Sequence, residues 1–76
     1  MELKDFVQNF ANQFDETDAE MFTPETKFRD FEEWSSIIGL SIILMVDEEY
    51  GITIDADDMK QAETIGELFN IVQAKA

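Results

Sequence analysis

Leu3, Phe6, Val7, Phe10 and Phe14 recur along the chain mostly at steps of three and four residues. That spacing lines one face of a helix, with Lys4, Asp5, Gln8, Asn9 and Gln13 mostly elsewhere, and it predicts a first helix from about Glu2 to Phe14. From Asp15 to Trp34 no apolar period is sustained. The segment holds the only proline, in Thr23-Pro24-Glu25-Thr26. Threonine before proline is a helix-start signal, because a first turn tolerates the missing N–H. That signal permits a short helical turn there, but the segment as a whole reads as a long ordered loop that Phe22, Phe28 and Phe31 pin to the core. A loop this long in so small a chain is usually functional.

Ser35 then offers an N-cap, and the run from Ser36 to Tyr50 reads as a second helix closed by Gly51 in the left-handed conformation. Its β-branched content also suits a strand, but its length and both termini favour a helix. Ile52-Thr53-Ile54 alternates briefly. Asp55-Ala56-Asp57-Asp58 opens a short helix that carries Met59 and Ala62. Thr64-Ile65-Gly66-Glu67 is a capping box, with Thr64 as cap and Glu67 at the third helical position. Ile65, Leu68, Phe69 and Val72 continue the apolar stripe of a last helix towards Ala76. The sum is an all-α fold: a small four-helix bundle of three longer helices and one short, with the long loop between the first two. Phe6, Phe10, Phe28, Ile54 and Phe69 are expected in its core.

Composition narrows the chemistry. The 76 residues suit one domain, read here as 1–76, and leave little room for a deep enzyme pocket beside a core. There is no cysteine and no histidine. That removes disulfides, thiolate metal sites and the commonest general base. No catalytic residue is expected. Asp55-Ala56-Asp57-Asp58 lacks the glycine and terminal glutamate of a calcium loop, so no metal site is expected either.

The net charge of −13, from 18 acidic and 5 basic residues, repels nucleic acid and anionic membranes and favours partners with basic patches. Solubility alone would explain it equally well. Met1 to Asp5 lacks the pattern of a signal peptide. The apolar run from Ile37 to Val46 is too short to cross a bilayer. A monomeric cytoplasmic protein without membrane insertion is the expectation.

The candidate for chemistry is Trp34-Ser35-Ser36-Ile37. A serine that opens a helix is exposed, and the first backbone N–H groups there lack partners at the positive end of the helix dipole. A phosphate esterified to such a hydroxyl is stabilised in place. Ser36 is the first choice, with Ser35 the rival one position away. Ser41, in mid-helix, is read as packed or bonded to the preceding turn.

The chain resembles the acyl carrier protein family over nearly its whole length. The resemblance rests on order and spacing. Thr23-Pro24-Glu25-Thr26-Lys27-Phe28 lies in the loop, and Ser35-Ser36-Ile37 stands where the family has Asp-Ser-Leu. The apolar helix ends in Asp47-Glu48-Glu49-Tyr50, followed by Gly51-Ile52-Thr53-Ile54 with Asp55, Asp57 and Asp58, and then by Glu63-Thr64-Ile65. The resemblance implies a 4′-phosphopantetheine arm on Ser36, attached by a phosphopantetheinyl transferase. The arm's thiol would carry acyl groups as thioesters for fatty-acid, polyketide-like or other acyl biosynthesis. The family's aspartate is Ser35 here, its leucine is Ile37, and Ile38 and Ser41 are uncharged where many members are polar or acidic. These differences suit a specialised member.

Ile37, Ile38, Leu40, Ile42, Ile43, Leu44, Met45 and Val46 are too many apolar residues for one helix face. Ile37 and Ile38 are read as facing partners, and Ile43 and Val46 as sheltering an acyl chain. Glu33 and the cluster Asp47, Glu48 and Glu49 are read as docking basic patches on acyl-loading and acyl-processing enzymes. The last three oppose the helix dipole and gain from a cationic partner. Two alternatives stay open: an aminoacyl or peptidyl carrier, D-alanyl included, and an acidic interaction module with no prosthetic group.

Overall fold

A computed structural model describes all residues, 1–76. It contains four α-helices and no strand: α1 Leu3–Ala11, α2 Ser36–Tyr50, α3 Ala56–Gln61 and α4 Ile65–Ala74. Helix α1 packs on α2 and α4, and α3 packs on α4. This is the small bundle that the periodicity predicts. No helix is long and apolar enough to cross a membrane.

The helix boundaries follow local chemistry. The Ser35 hydroxyl accepts from the Ile38 N–H at the start of α2, and Gly51 ends that helix at φ 66°. Asp55 and Asp58 form a reciprocal capping box on α3, and Thr64 and Glu67 form one on α4. Each cap satisfies backbone donors that would otherwise lack partners. Helix α1 ends three residues before the expected Phe14. Its last turn tightens, with Gln13 N–H on Phe10 C=O and Phe14 N–H on Ala11 C=O.

The segment between α1 and α2 is the long loop expected, and its proline stands in a tight turn. Thr23 to Thr26 is a reverse turn, closed by Thr26 N–H on Thr23 C=O at 3.0 Å, and not a helical turn. Short 3₁₀ turns lie instead at Ala19–Met21 and Phe28–Asp30. The turn at Pro24 has another task. Pro24 C=O accepts from Gly66 N–H at 2.8 Å, and Thr26 C=O accepts from Ile65 N–H at 3.2 Å. The loop thereby satisfies the first two amides of α4, which no residue of that helix can reach.

All seven phenylalanines join one aromatic cluster. Phe6, Phe10 and Phe28 are fully buried, with Ile42, Ile54, Ile65, Leu68 and Val72. Phe22 is buried and Phe31 half-buried, so both hold the loop against the bundle, as expected. Truncating one fully enclosed ring to alanine costs about 3–5 kcal/mol, a large part of what so small a domain has. No charged or polar side chain is buried in the core.

Candidate functional site

Ser36 is the first residue of α2, and its side chain is exposed. Its neighbour differs. The Ser35 hydroxyl accepts from Ile38 N–H at 3.3 Å, while Ser35 C=O accepts from Gly39 N–H at 3.0 Å. Ser35 is thus the cap, and the Ser36 hydroxyl has no capping duty. The geometry separates the two serines that the sequence leaves adjacent.

Ser36 stands on the rim of a groove of about 430 Å³ between α2 and α3. Helix α2 supplies Ser36, Gly39, Leu40 and Ile43 to it, and α3 supplies Ala56, Met59 and Lys60. The loop contributes Arg29 and Trp34. The Trp34 ring lies against Gly39, 3.5 Å from where a β-carbon would stand. It also packs on Phe28, with ring centroids 5.1 Å apart, and on Phe14 at 6.4 Å. Arg29 Nη1 donates to Met59 C=O at 2.7 Å, and its guanidinium sits 5.1 Å from the Phe28 ring centre. This bond ties the loop to α3 beside the groove.

These residues fit a phosphate-linked arm. The hydroxyl is accessible, it begins a fifteen-residue helix with unpartnered amides, and an apolar groove starts beside it. No group of three or more His, Cys, Asp or Glu side chains converges as a metal site.

The apolar surplus of α2 divides clearly. Ile37 is 75% exposed, Leu40 56% and Leu44 52%, so three large apolar side chains face outward along one stripe. The expected pair was Ile37 and Ile38, but Ile38 is half-buried and packs on the core. Leu40 and Leu44, members of the apolar surplus that the sequence does not place, complete the stripe, and their spacing from Ile37 by three and seven residues is a readable helical signal. Of the two residues expected to shelter a chain, Ile43 lines the groove, whereas Val46 is fully buried in the core and does not.

The acidic residues divide as well. Asp47, Glu48 and Glu49 are exposed on the last turn of α2. The molecule contains one ion pair, Lys75 with Asp58 at 3.3 Å, so the cluster has no cationic partner within the chain. Glu33 faces its own loop. Its carboxylate accepts from the N–H groups of Asp15 at 2.6 Å, Glu16 at 3.0 Å and Thr17 at 3.0 Å, and from the Thr17 hydroxyl at 2.8 Å. Partial desolvation pushes this carboxyl up, and the Thr17 hydroxyl and the three amides outweigh it. Glu33 therefore lies below the ordinary carboxylate value. Its visible role is to clamp the loop just before the Ser35 cap, which leaves few lone pairs for a partner.

A protein-family model described as a phosphopantetheine attachment site matches residues 5–72. The match takes in most of α1, the whole loop, α2 and α3, and most of α4.

Proposed function

The chain belongs to the phosphopantetheine attachment site family, a domain type that is the site of covalent 4′-phosphopantetheine attachment, and on that premise we propose that Ser36 carries the arm and that the protein delivers acyl thioesters to partner enzymes. One observation carries the assignment to Ser36. Its hydroxyl is exposed on the first turn of α2, at the rim of the groove, while the Ser35 hydroxyl is engaged as the cap.

A separate transferase supplies the catalytic groups. In its site the Ser36 oxygen attacks the pantetheine-bearing phosphorus of coenzyme A as a base of the transferase takes the hydroxyl proton. The phosphoanhydride bond breaks and adenosine 3′,5′-bisphosphate leaves. Once attached, the arm supplies a thiol that holds cargo as a thioester. The residues of this chain bind, orient and present. The amides at the start of α2 stabilise the phosphodiester. The stripe of Ile37, Leu40 and Leu44, bordered by Asp47 and Glu48, is the docking face for basic partners in this reading. Rim charges of that kind speed encounter more than they strengthen binding, which suits a carrier that must leave again. The tether keeps cargo concentrated at whichever enzyme is docked.

The apolar lining of the groove supports an acyl cargo over an aminoacyl one, since a free ammonium gains nothing from Leu40, Ile43 and Met59. A monomeric cytoplasmic carrier remains our reading. The test is intact mass after incubation with coenzyme A and a phosphopantetheinyl transferase. One added phosphopantetheine is expected. An unchanged mass with several transferases would favour the interaction module without a prosthetic group.

A further inference from the structure

The groove beside Ser36 is apolar along most of its lining, yet Arg29 and Lys60 stand on it. The chain has only five basic residues among 18 acidic ones, and two of the five meet here. Of the others, Lys75 is paired with Asp58 and neither Lys4 nor Lys27 reaches this groove. On a surface of net charge −13, the one apolar groove adjoining Ser36 is thus also a place where cations gather.

Arg29 is held in position. Nη1 is bonded to Met59 C=O, and the guanidinium carbon lies over the Phe28 ring, 5.1 Å from its centre. The remaining donors of its rigid fork match a carboxylate. Lys60, next to Met59 on α3, adds a flexible point charge. Both side chains are exposed at the edge of the groove, so a wholly hydrocarbon cargo gains nothing from either cation. A cargo with an apolar stem and an anionic end does.

We propose, resting on the attachment of the arm at Ser36, that this carrier takes acyl chains ending in a carboxylate, with Arg29 and Lys60 receiving that carboxylate while Leu40, Ile43 and Met59 hold the methylenes. The arm's own phosphodiester is a second anion. It is esterified at the start of α2, where free amides already serve it, so the cations of the opposite wall are assigned to the cargo.

The test compares adipoyl and hexanoyl thioesters, equal in length and differing in the terminal carboxylate. Each is loaded from its coenzyme A thioester by a transferase and confirmed by intact mass. Cleavage by hydroxylamine is followed for each and divided by the rate for the same thioester on free coenzyme A. The adipoyl form is expected to be protected roughly threefold more than the hexanoyl form, within what exposed charge pairs deliver. Lys60→Gln should abolish most of that difference. Arg29→Gln should abolish it too, but it also removes the bond to Met59, so Lys60→Gln decides. Equal protection in the unaltered protein, or a difference that survives Lys60→Gln, overturns the inference. So does a ³¹P shift of the holo protein that moves in Lys60→Gln while the two thioesters remain equally protected, since the cations would then serve the phosphodiester. A chain that takes no arm at all shows this in its mass before any comparison, and that result overturns the assignment of Ser36 itself.

Discussion

The Gly66 amide donates to the Pro24 carbonyl at 2.8 Å, and a β-carbon on Gly66 would stand 3.0 Å from that same oxygen. The loop that carries Arg29 and Trp34 to the groove is therefore fastened to the first turn of α4 by a contact that only glycine allows without adjustment. The proline ring fixes φ at position 24 and the Thr26 N–H bond to Thr23 C=O closes the turn around it, which limits how far the oxygen can retreat. Gly66→Ala gains helix propensity but strains or breaks this bond. A net loss of about 1 kcal/mol is expected in urea unfolding, the bond outweighing the propensity. Unchanged or raised stability would show that the loop yields.

The Glu33 clamp predicts a particular pH dependence. Its folded-state carboxyl lies below the usual value of 4.5, so its contribution is fully present above that value and is lost as pH falls through the lower folded value. Acid also relieves the repulsion among 18 carboxylates, so absolute stability mixes two effects. The difference between the unaltered protein and Glu33→Gln isolates the clamp. That difference should favour the unaltered protein at neutral pH and shrink on acidification below about pH 4.5, measured by urea midpoints at several pH values. A difference independent of pH would contradict the clamp.

The outward stripe on α2 separates docking from folding. Ile37→Ser and Leu44→Ser remove exposed apolar groups that pack on little, so stability should change by no more than about 0.5 kcal/mol. If the stripe is the docking face, kcat/KM of the transferase should fall while its kcat for saturating carrier changes less. Added salt should weaken docking of the unaltered protein through the screening of Asp47 and Glu48. Unaltered kinetics in both variants would move docking elsewhere.

What the sequence revealed and what it hid divide by range. The Ser35 cap, Gly51 at positive φ and the Thr64–Glu67 box are set by residues three or four apart or by one backbone angle, and each was readable. The apolar steps of α1 placed that helix, though not its early end, because tightening at Asn12 leaves the Phe10–Phe14 contact intact. The task of the Pro24 turn is hidden in the sequence because its carbonyl serves residue 66, a bond that no local pattern announces. Glu33 looks like one more docking acid in the sequence because its four donors lie far away, at 15–17. The side that Ile38 takes is not legible because α2 is apolar nearly all round, and only the packed bundle decides which side is covered. The bond from Arg29 to Met59, and hence the cations beside Ser36, depends on contacts thirty residues apart.

The two serines test the account most directly. Ser35→Ala removes a cap and should lower stability by about 1 kcal/mol, whereas Ser36→Ala, at the first helical position, should leave stability nearly unchanged. The decisive measurement is intact mass of both variants after incubation with coenzyme A and a transferase active on the unaltered protein. Ser35→Ala should gain one phosphopantetheine and Ser36→Ala none. A modified Ser36→Ala, or an unmodified Ser35→Ala that remains folded, would contradict the assignment of the arm to Ser36.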